Sequence, residues 1–268
     1  MSLGVFRYSR PNAQLRAMIS RLLTSEQLRA LSATGDLDGV LRSLGETAYG
    51  AMSARLLEMG ADLADVERAT LGTLVEAYRR TASLVGGGGG RLVVEIARVL
   101  EVDNLKAILR ARARRESPDV VQPLLVPLAG LSRLPVSDLL QAEDVDAVAS
   151  ALVDTDYGPV LRSALPRYAA EGSLFPVEVA LDLHHYRRLW SVVQRLSGRD
   201  LETVAAMMGT RYDLLNLDWI IRYRLIYRLS PEEIFNYTLP HGRRVDDTVV
   251  RRAASAEGME GMAGAAPE

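Results

Sequence analysis

Hydrophobic residues recur along most of the chain at three- and four-residue steps, the spacing of one face of an α-helix. In residues 14–31, Leu15, Met18, Ile19, Leu22 and Leu23 fall at that spacing and predict a helix. Asp36 is placed to cap a short helix over 36–44, and Thr47-Ala48-Tyr49-Gly50 looks like the turn into the next element. Residues 62–85 predict an amphipathic helix with Leu63, Val66, Leu71, Leu74, Val75 and Tyr78 facing inward. Five glycines, Gly86–Gly90, then break the pattern. Each costs about 1 kcal/mol relative to alanine inside a helix, so the run predicts a flexible hinge. Residues 91–115 form one long helical pattern stopped by Ser117-Pro118.

Prolines punctuate residues 120–140, which makes this connector the best domain boundary. Beyond it the plan recurs. A short helix is predicted over 143–153, Asp156-Tyr157-Gly158 is again a turn, and helices follow at about 159–171, 175–197 and 199–229. On the last, Leu201, Val204, Met208, Tyr212, Leu215, Trp219 and Ile226 make a continuous stripe. Ser230-Pro231-Glu232-Glu233 has the form of a helix start. The chain therefore divides into an N-terminal helix (1–35), a first helical unit (36–130), a second (131–245) and an Ala/Gly-rich disordered tail (246–268). The fold class is all-α.

The two units share letters in a constant order. Asn104-Leu105, Ile108, Arg110 and Arg112 match Asn216-Leu217, Ile220, Arg222 and Arg224. Ser117-Pro118 matches Ser230-Pro231, Pro127 matches Pro240, and Tyr49-Gly50 matches Tyr157-Gly158. Matches that keep their order with only small drift point to an internal duplication.

Composition narrows the chemistry. The formal net charge is −2 and the pI about 6.0, less basic than a free nucleic-acid-binding domain. There is no cysteine, hence no disulfide, thiolate metal site or cysteine nucleophile. The three histidines, His184, His185 and His241, do not form the HExxH pattern of a helical zinc site. Lys106 is the only lysine, and no Lys-Ser or Lys-Thr follows the glycine run, so a phosphate-cradling loop is not expected. No signal-peptide core opens the chain, and no stretch reaches the roughly 18 apolar residues of a spanning helix.

The candidate interface or inter-helix residues are Arg110, Arg112, Arg222, Arg224 and Trp219. Arg222 falls between Trp219 and Ile226 on the apolar stripe. There it either ties neighbouring helices within the core or belongs to a basic ring facing an inserted partner. Asp182, His185 and Arg187 form the other polar cluster, with no activated nucleophile nearby. Two readings of these residues stand: a helical-repeat adaptor, and a helical enzyme built on that cluster.

Several segments resemble the C subunit of archaeal-type rotary ATPases, equivalent to the d subunit of the vacuolar enzyme. NAQLRAMISRLL (12–23) is similar to the family's N-terminal helix, and LGETAYG (44–50) and LVDTDYG (152–158) to its repeated turn. VDNLKAILRAR (102–112) is similar to its Asn-Leu-Arg segment. LLNLDWIIRYRLIYRLSPEEIFNYTLPHG (214–242) is the most specific, since tryptophan, arginines, Ser-Pro-Glu-Glu and Pro-x-Gly occur together. The resemblance covers about residues 5–250. It implies helical units around a funnel that seats the central shaft and rests on the membrane proteolipid ring. It also implies a peripheral position on the cytoplasmic face, no catalysis, no cofactor or metal, and neither nucleic-acid nor direct nucleotide binding. Members of the family have three units. Only two are legible here, and after Arg244 the sequence reads as tail. An open side is expected along Leu215, Trp219 and Ile226 and the helix at 175–197.

Overall fold

The computed structural model describes residues 3–256 and 258–265. Among these residues all regular structure is helical. The chain forms two compact units, Met1–Ala151 and Leu152–Glu268.

In the first unit, α1 (Leu3–Ile19) ends before α2 (Ser25–Ser32) begins. The single stretch expected over 14–31 is broken because Thr24 is extended, with ψ 161°, and starts a new helix. Gln27 N–H donates to Thr24 Oγ1 at 3.2 Å, and Thr24 N–H donates to Gln27 Oε1 at 2.8 Å. This reciprocal pair satisfies two amides that a helix start would leave unpaired. α3 (Leu37–Leu44) begins at Asp36, which accepts from Gly39 N–H at 2.6 Å. Thr47 then shapes the turn into α4 (Gly50–Met59): its hydroxyl donates to Leu44 C=O at 2.7 Å and accepts from Tyr49 N–H at 3.1 Å. A Cβ at Gly50 would drive into the Gly45 carbonyl oxygen, so the turn requires glycine.

α5 (Leu63–Val85) and α6 (Gly87–Ala97) pack closely against each other. The glycine run between them is not the flexible hinge expected from its composition. Gly86, at φ 63°, reverses the chain, and Gly87–Gly90 form the first turn of α6. A Cβ at Gly90 would lie 2.5 Å from the Ala82 carbonyl oxygen. The glycines thus let two helices touch backbone to backbone, and that close approach offsets their poor helix propensity. α7 (Val99–Ala113) follows α6 after one hitch at Arg98, where ψ is −11°, so the long helix expected over 91–115 is two consecutive segments. Val102, Leu105, Ile108 and Leu109 are fully buried on it.

α8 (Pro118–Val121), a 3-10 turn at Gln122–Leu124, α9 (Val136–Gln141) and α10 (Val145–Ala151) complete this unit. α10 packs on α7 and α9, and α9 on α8. Leu139, Val145 and Val148 are buried as a result. The first compact unit runs to Ala151, so the proline-punctuated connector over 120–140 lies inside it.

The second unit opens with the same turn. Thr155 Oγ1 donates to Leu152 C=O at 2.7 Å and accepts from Tyr157 N–H at 3.2 Å. α11 (Gly158–Glu171) packs along α12 (Phe175–Val193), followed by α13 (Gly198–Leu225) and α14 (Pro231–Asn236). Ser230 and Glu233 form a capping box at the start of α14. Leu161, Val177, Leu181, Val193, Ile220 and Ile234 form the core.

The disordered tail expected from 246 onward is overturned as far as Ala265. α15 (Asp247–Ser255) and α16 (Gly258–Ala265) pack on α13, and α15 also on α14. Val250, Ala253 and Ala254 are buried, and the Arg251 guanidinium sits 3.6 Å over the Phe235 ring. The apolar face is only three residues wide and mostly alanine, so it left little periodic signal. α15 also starts as α3 and α10 do. Val249 N–H donates to Asp246 at 2.9 Å and Ala147 N–H to Asp144 at 2.8 Å, as Gly39 does to Asp36. Asp247–Ser255, within the stretch expected to be tail, is a capped helix.

Candidate interface residues

Near the end of α7, Arg112 is 6% exposed. Its Nη1 donates to Leu140 C=O at 2.9 Å and to Ala142 C=O at 3.1 Å, and its Nη2 donates to Glu116 C=O. One guanidinium thus ties the α7 terminus to the chain around α9. Near the end of α13, Arg224 is half-buried and donates to Leu229 C=O at 3.4 Å. Both arginines sit just before a sharp reversal. Arg115 and Arg228 adopt φ of 55° and 54°, a left-handed conformation that closes a helix. Glu116 N–H returns to Ala111 C=O, and Leu229 N–H to Tyr223 C=O.

Arg110 and Arg222 face solvent. Arg222 is not on the buried stripe: it pairs with Asp218 at 3.0 Å, and both side chains are more than half exposed. It is not a core tie. Trp219 is buried, with its ring 5.8 Å from Tyr186 and 6.2 Å from Tyr223. Ile226 lies past the end of α13 and is 71% exposed. Of the open side expected along Leu215, Trp219, Ile226 and the 175–197 helix, Trp219 is buried within the second unit and Ile226 is exposed. In the polar cluster, His185 is buried and Arg187 exposed, so the groups do not converge.

Sequence reasoning missed a pair of anchors. Asn104 Nδ2 donates to Val126 C=O at 2.9 Å and its Oδ1 accepts from Val126 N–H at 2.8 Å. Asn216 treats Leu239 in the same way, at 2.9 and 2.7 Å. Three residues earlier on each helix stands a buried carboxylate. Glu101 accepts from Arg133 N–H at 3.0 Å, and Asp213 accepts from Arg244 and Val245 N–H at 2.9 Å each. An acid and an asparagine at i and i+3 share one helix face, so together they staple the returning loop. That acid-x-x-Asn spacing, present twice in the sequence, was the available signal.

The outward face of α13 carries apolar residues among exposed Thr210, Arg211 and Asp218. Met207, Leu214 and Leu225 are exposed, at helical steps that keep them on one side, and Ile226 and Tyr227 extend the strip. Beneath it Phe175 packs against Tyr223, Tyr227 and Tyr237. Burial, reinforced by the nearby Asp182, holds the Tyr223 hydroxyl far above its ordinary range. Arg167 bridges Glu171 at 2.8 Å and Glu233 at 3.6 Å and donates to the Tyr237 hydroxyl. Among the described residues, no group of three or more acids and histidines is placed to hold a metal ion. No helix among them is long and apolar enough to cross a membrane.

Comparison with known proteins adds a consistent pattern. The family model described as the ATP synthase (C/AC39) subunit matches residues 11–268. The A-type ATP synthase C subunit of Methanothermobacter thermautotrophicus is 27% identical over 263 residues, covering 97% of this chain and 65% of the relative. The corresponding protein of Methanocaldococcus jannaschii is 24% identical over 262 residues, with 98% and 65% coverage. The V-type ATP synthase C subunit of Deinococcus radiodurans is 26% identical over 209 residues, with 75% and 59% coverage. The chain spans somewhat less than two thirds of the length of these relatives.

Proposed function

Because the chain belongs to the ATP synthase (C/AC39) subunit family, we propose that it is a non-catalytic coupling protein in the central stalk of an A/V-type rotary ATPase. In this reading it seats the rotating shaft on the membrane proteolipid ring, lies peripherally on the cytoplasmic face, and supports ATP-linked proton or sodium transport. Its partners are the central shaft subunits and the ring. It binds neither nucleotide nor nucleic acid.

The observation that carries this reading is the outward strip of α13. The helix has 28 residues and so runs about 42 Å at 1.5 Å per residue. Met207, Leu214 and Leu225 give it an exposed apolar line, with Arg222 beside it. From Met207 to Leu225 that line runs about 27 Å at 1.5 Å per residue, enough to lie along a partner helix of the kind a shaft presents, because side chains a turn or two apart interdigitate along a shared axis. Exposed apolar surface of this sort on a water-soluble face marks an interaction site.

The test is assembly. A Met207→Glu/Leu214→Glu variant changes only exposed side chains and so keeps its circular dichroism and melting temperature. It is expected to lose co-purification with the shaft subunits and to uncouple ATP hydrolysis from ion transport in the reconstituted complex. Normal assembly and coupling of this variant, or ATP hydrolysis by the isolated chain, would refute the proposal.

A further inference from the structure

Three short helices of the chain begin alike and are covered unequally. α3, α10 and α15 each start at an aspartate whose carboxylate accepts an amide of the first turn: Asp36, Asp144 and Asp246. After the first two caps the chain keeps step, since Thr47 and Thr155 make the same pair of hydrogen bonds and Gly50 and Gly158 open the next helix. One turn beyond each cap stands a valine: Val40, Val148 and Val250. Val148 is fully buried where α10 packs on α7 and α9, and Val250 is 2% exposed where α15 packs on α13 and α14. Val40 on α3 is only half-buried, and so is Leu37, although its counterpart Val145 is 2% exposed. α3 packs closely on α4, with the Ser53 hydroxyl donating to Leu41 C=O. Val40 lies about 100° around the helix from Leu41, so α4 covers one flank of the apolar face and leaves the Leu37–Val40 flank open.

The occupant of that flank is legible from the two matching helices. α10 is seated on the long helix α7, and α15 on the long helix α13. Each long helix also holds the chain just ahead of the aspartate cap: Arg112 donates to Ala142 C=O, and Asp213 accepts from Val245 N–H. We propose that the Leu37–Val40 flank of α3 docks a long helix of the α7 and α13 type from a different polypeptide. That helix would bring an apolar face to Leu37 and Val40 and a polar side chain to the backbone just ahead of Asp36. A second copy of this chain does not supply it, because its own α7 and α13 are already occupied by α10 and α15. The inference concerns α3 and does not rest on the proposed shaft contact at α13.

The test uses the full chain and a labelled peptide of residues 198–225, the α13 sequence, as a stand-in for the partner helix. A second peptide carries the same residues in scrambled order. Fluorescence anisotropy is expected to show the ordered peptide binding at least tenfold more tightly than the scrambled one. Val40→Glu in the full chain should weaken binding at least tenfold, because a carboxylate would be buried without a partner. Val40→Ala, which keeps an apolar residue and the fold, should weaken it about threefold with its melting curve close to the parent's. The Met207→Glu/Leu214→Glu variant should bind like the parent chain. Equal binding of both peptides, or indifference to both Val40 substitutions, would overturn the proposal. So would concentration-dependent self-association in sedimentation that Val40→Glu abolishes, which would assign the flank to a second copy.

Discussion

Replacing Asn216 by alanine tests the anchoring scheme most directly. The Asn216 amide is fully buried and makes both of its bonds to Leu239, itself 4% exposed. Alanine would leave a buried N–H and a buried C=O without partners, in a place water does not reach. At about 1–3 kcal/mol for each unsatisfied group, the expected loss is roughly 2–6 kcal/mol. That is a large fraction of the 5–15 kcal/mol by which domains are typically stable. Both tryptophans, Trp190 and Trp219, lie in the second unit, so their fluorescence during urea unfolding reports the relevant transition. Asn216→Asp sharpens the test. The carboxylate keeps the acceptor for Leu239 N–H but faces the Leu239 carbonyl with no proton, so its folded-state pKa is raised above its unfolded value of about 3.9. Such a group stabilises the fold below the unfolded pKa and loses that contribution as pH rises through the folded pKa. The aspartate variant should therefore unfold at lower urea at pH 7 than at pH 5. Arg222→Ala, on an exposed pair, is the control and should shift stability by less than about 0.5 kcal/mol. An Asn216→Ala transition within that same margin would refute the scheme.

Gly158→Ala should destabilise the second unit by about 2–3 kcal/mol, because its Cβ would strike the carbonyl oxygens of Val153 and Leu152; Gly35→Ala, with open space around it, should be silent in the same urea titration. Tyr212 and Tyr223 are both held well above the ordinary value of 10.0, chiefly by burial, so the stability they lend is complete below that pH and declines above it. Unfolding followed at increasing pH should show stability falling beyond pH 10 by up to roughly 1.4 kcal/mol per pH unit for each group, and Tyr223→Phe should flatten the slope.

Helix type and order were legible wherever a long apolar period met a cap or a proline. Asp36 and Ser230-Pro231 start helices as their chemistry dictates, and α11, α12 and α13 begin within a residue or so of their expected positions. What failed did so for identifiable reasons. Propensity penalised Gly86–Gly90 as helix, but a close crossing with α5 needs residues without Cβ, and packing overrode propensity. Alanine-rich α15 buries a face too small to register as a period. The stripe on α13 was drawn one step too far, since the helix ends at Leu225 and Ile226 turns outward. Of the site, the letters Asn-Leu and Arg-x-Arg were visible, but the asparagines' partners, Val126 and Leu239, lie 22 and 23 residues downstream, and sequence spacing alone does not name them.

Arg-x-Arg also has a geometric consequence. Residues two apart on an α-helix project about 200° from each other, so both arginines of such a pair cannot face the same neighbour. If one is turned inward to hold backbone carbonyls, the other is turned out. Arg112 is inward and Arg110 outward on α7, and Arg224 is half-buried while Arg222 is exposed on α13. A partner that reads guanidinium from these Arg-x-Arg pairs must therefore read Arg110 and Arg222, and substitution of Arg112 or Arg224 would act through stability instead. The same division separates what each helix gives to its own unit from what it offers outward. On α13, Met208, Tyr212, Trp219 and Tyr223 are spent on the core, and Met207, Leu214 and Leu225 are not. A binding defect caused by Arg224→Ala should consequently come with a lower unfolding midpoint, whereas one caused by Arg222→Ala should not.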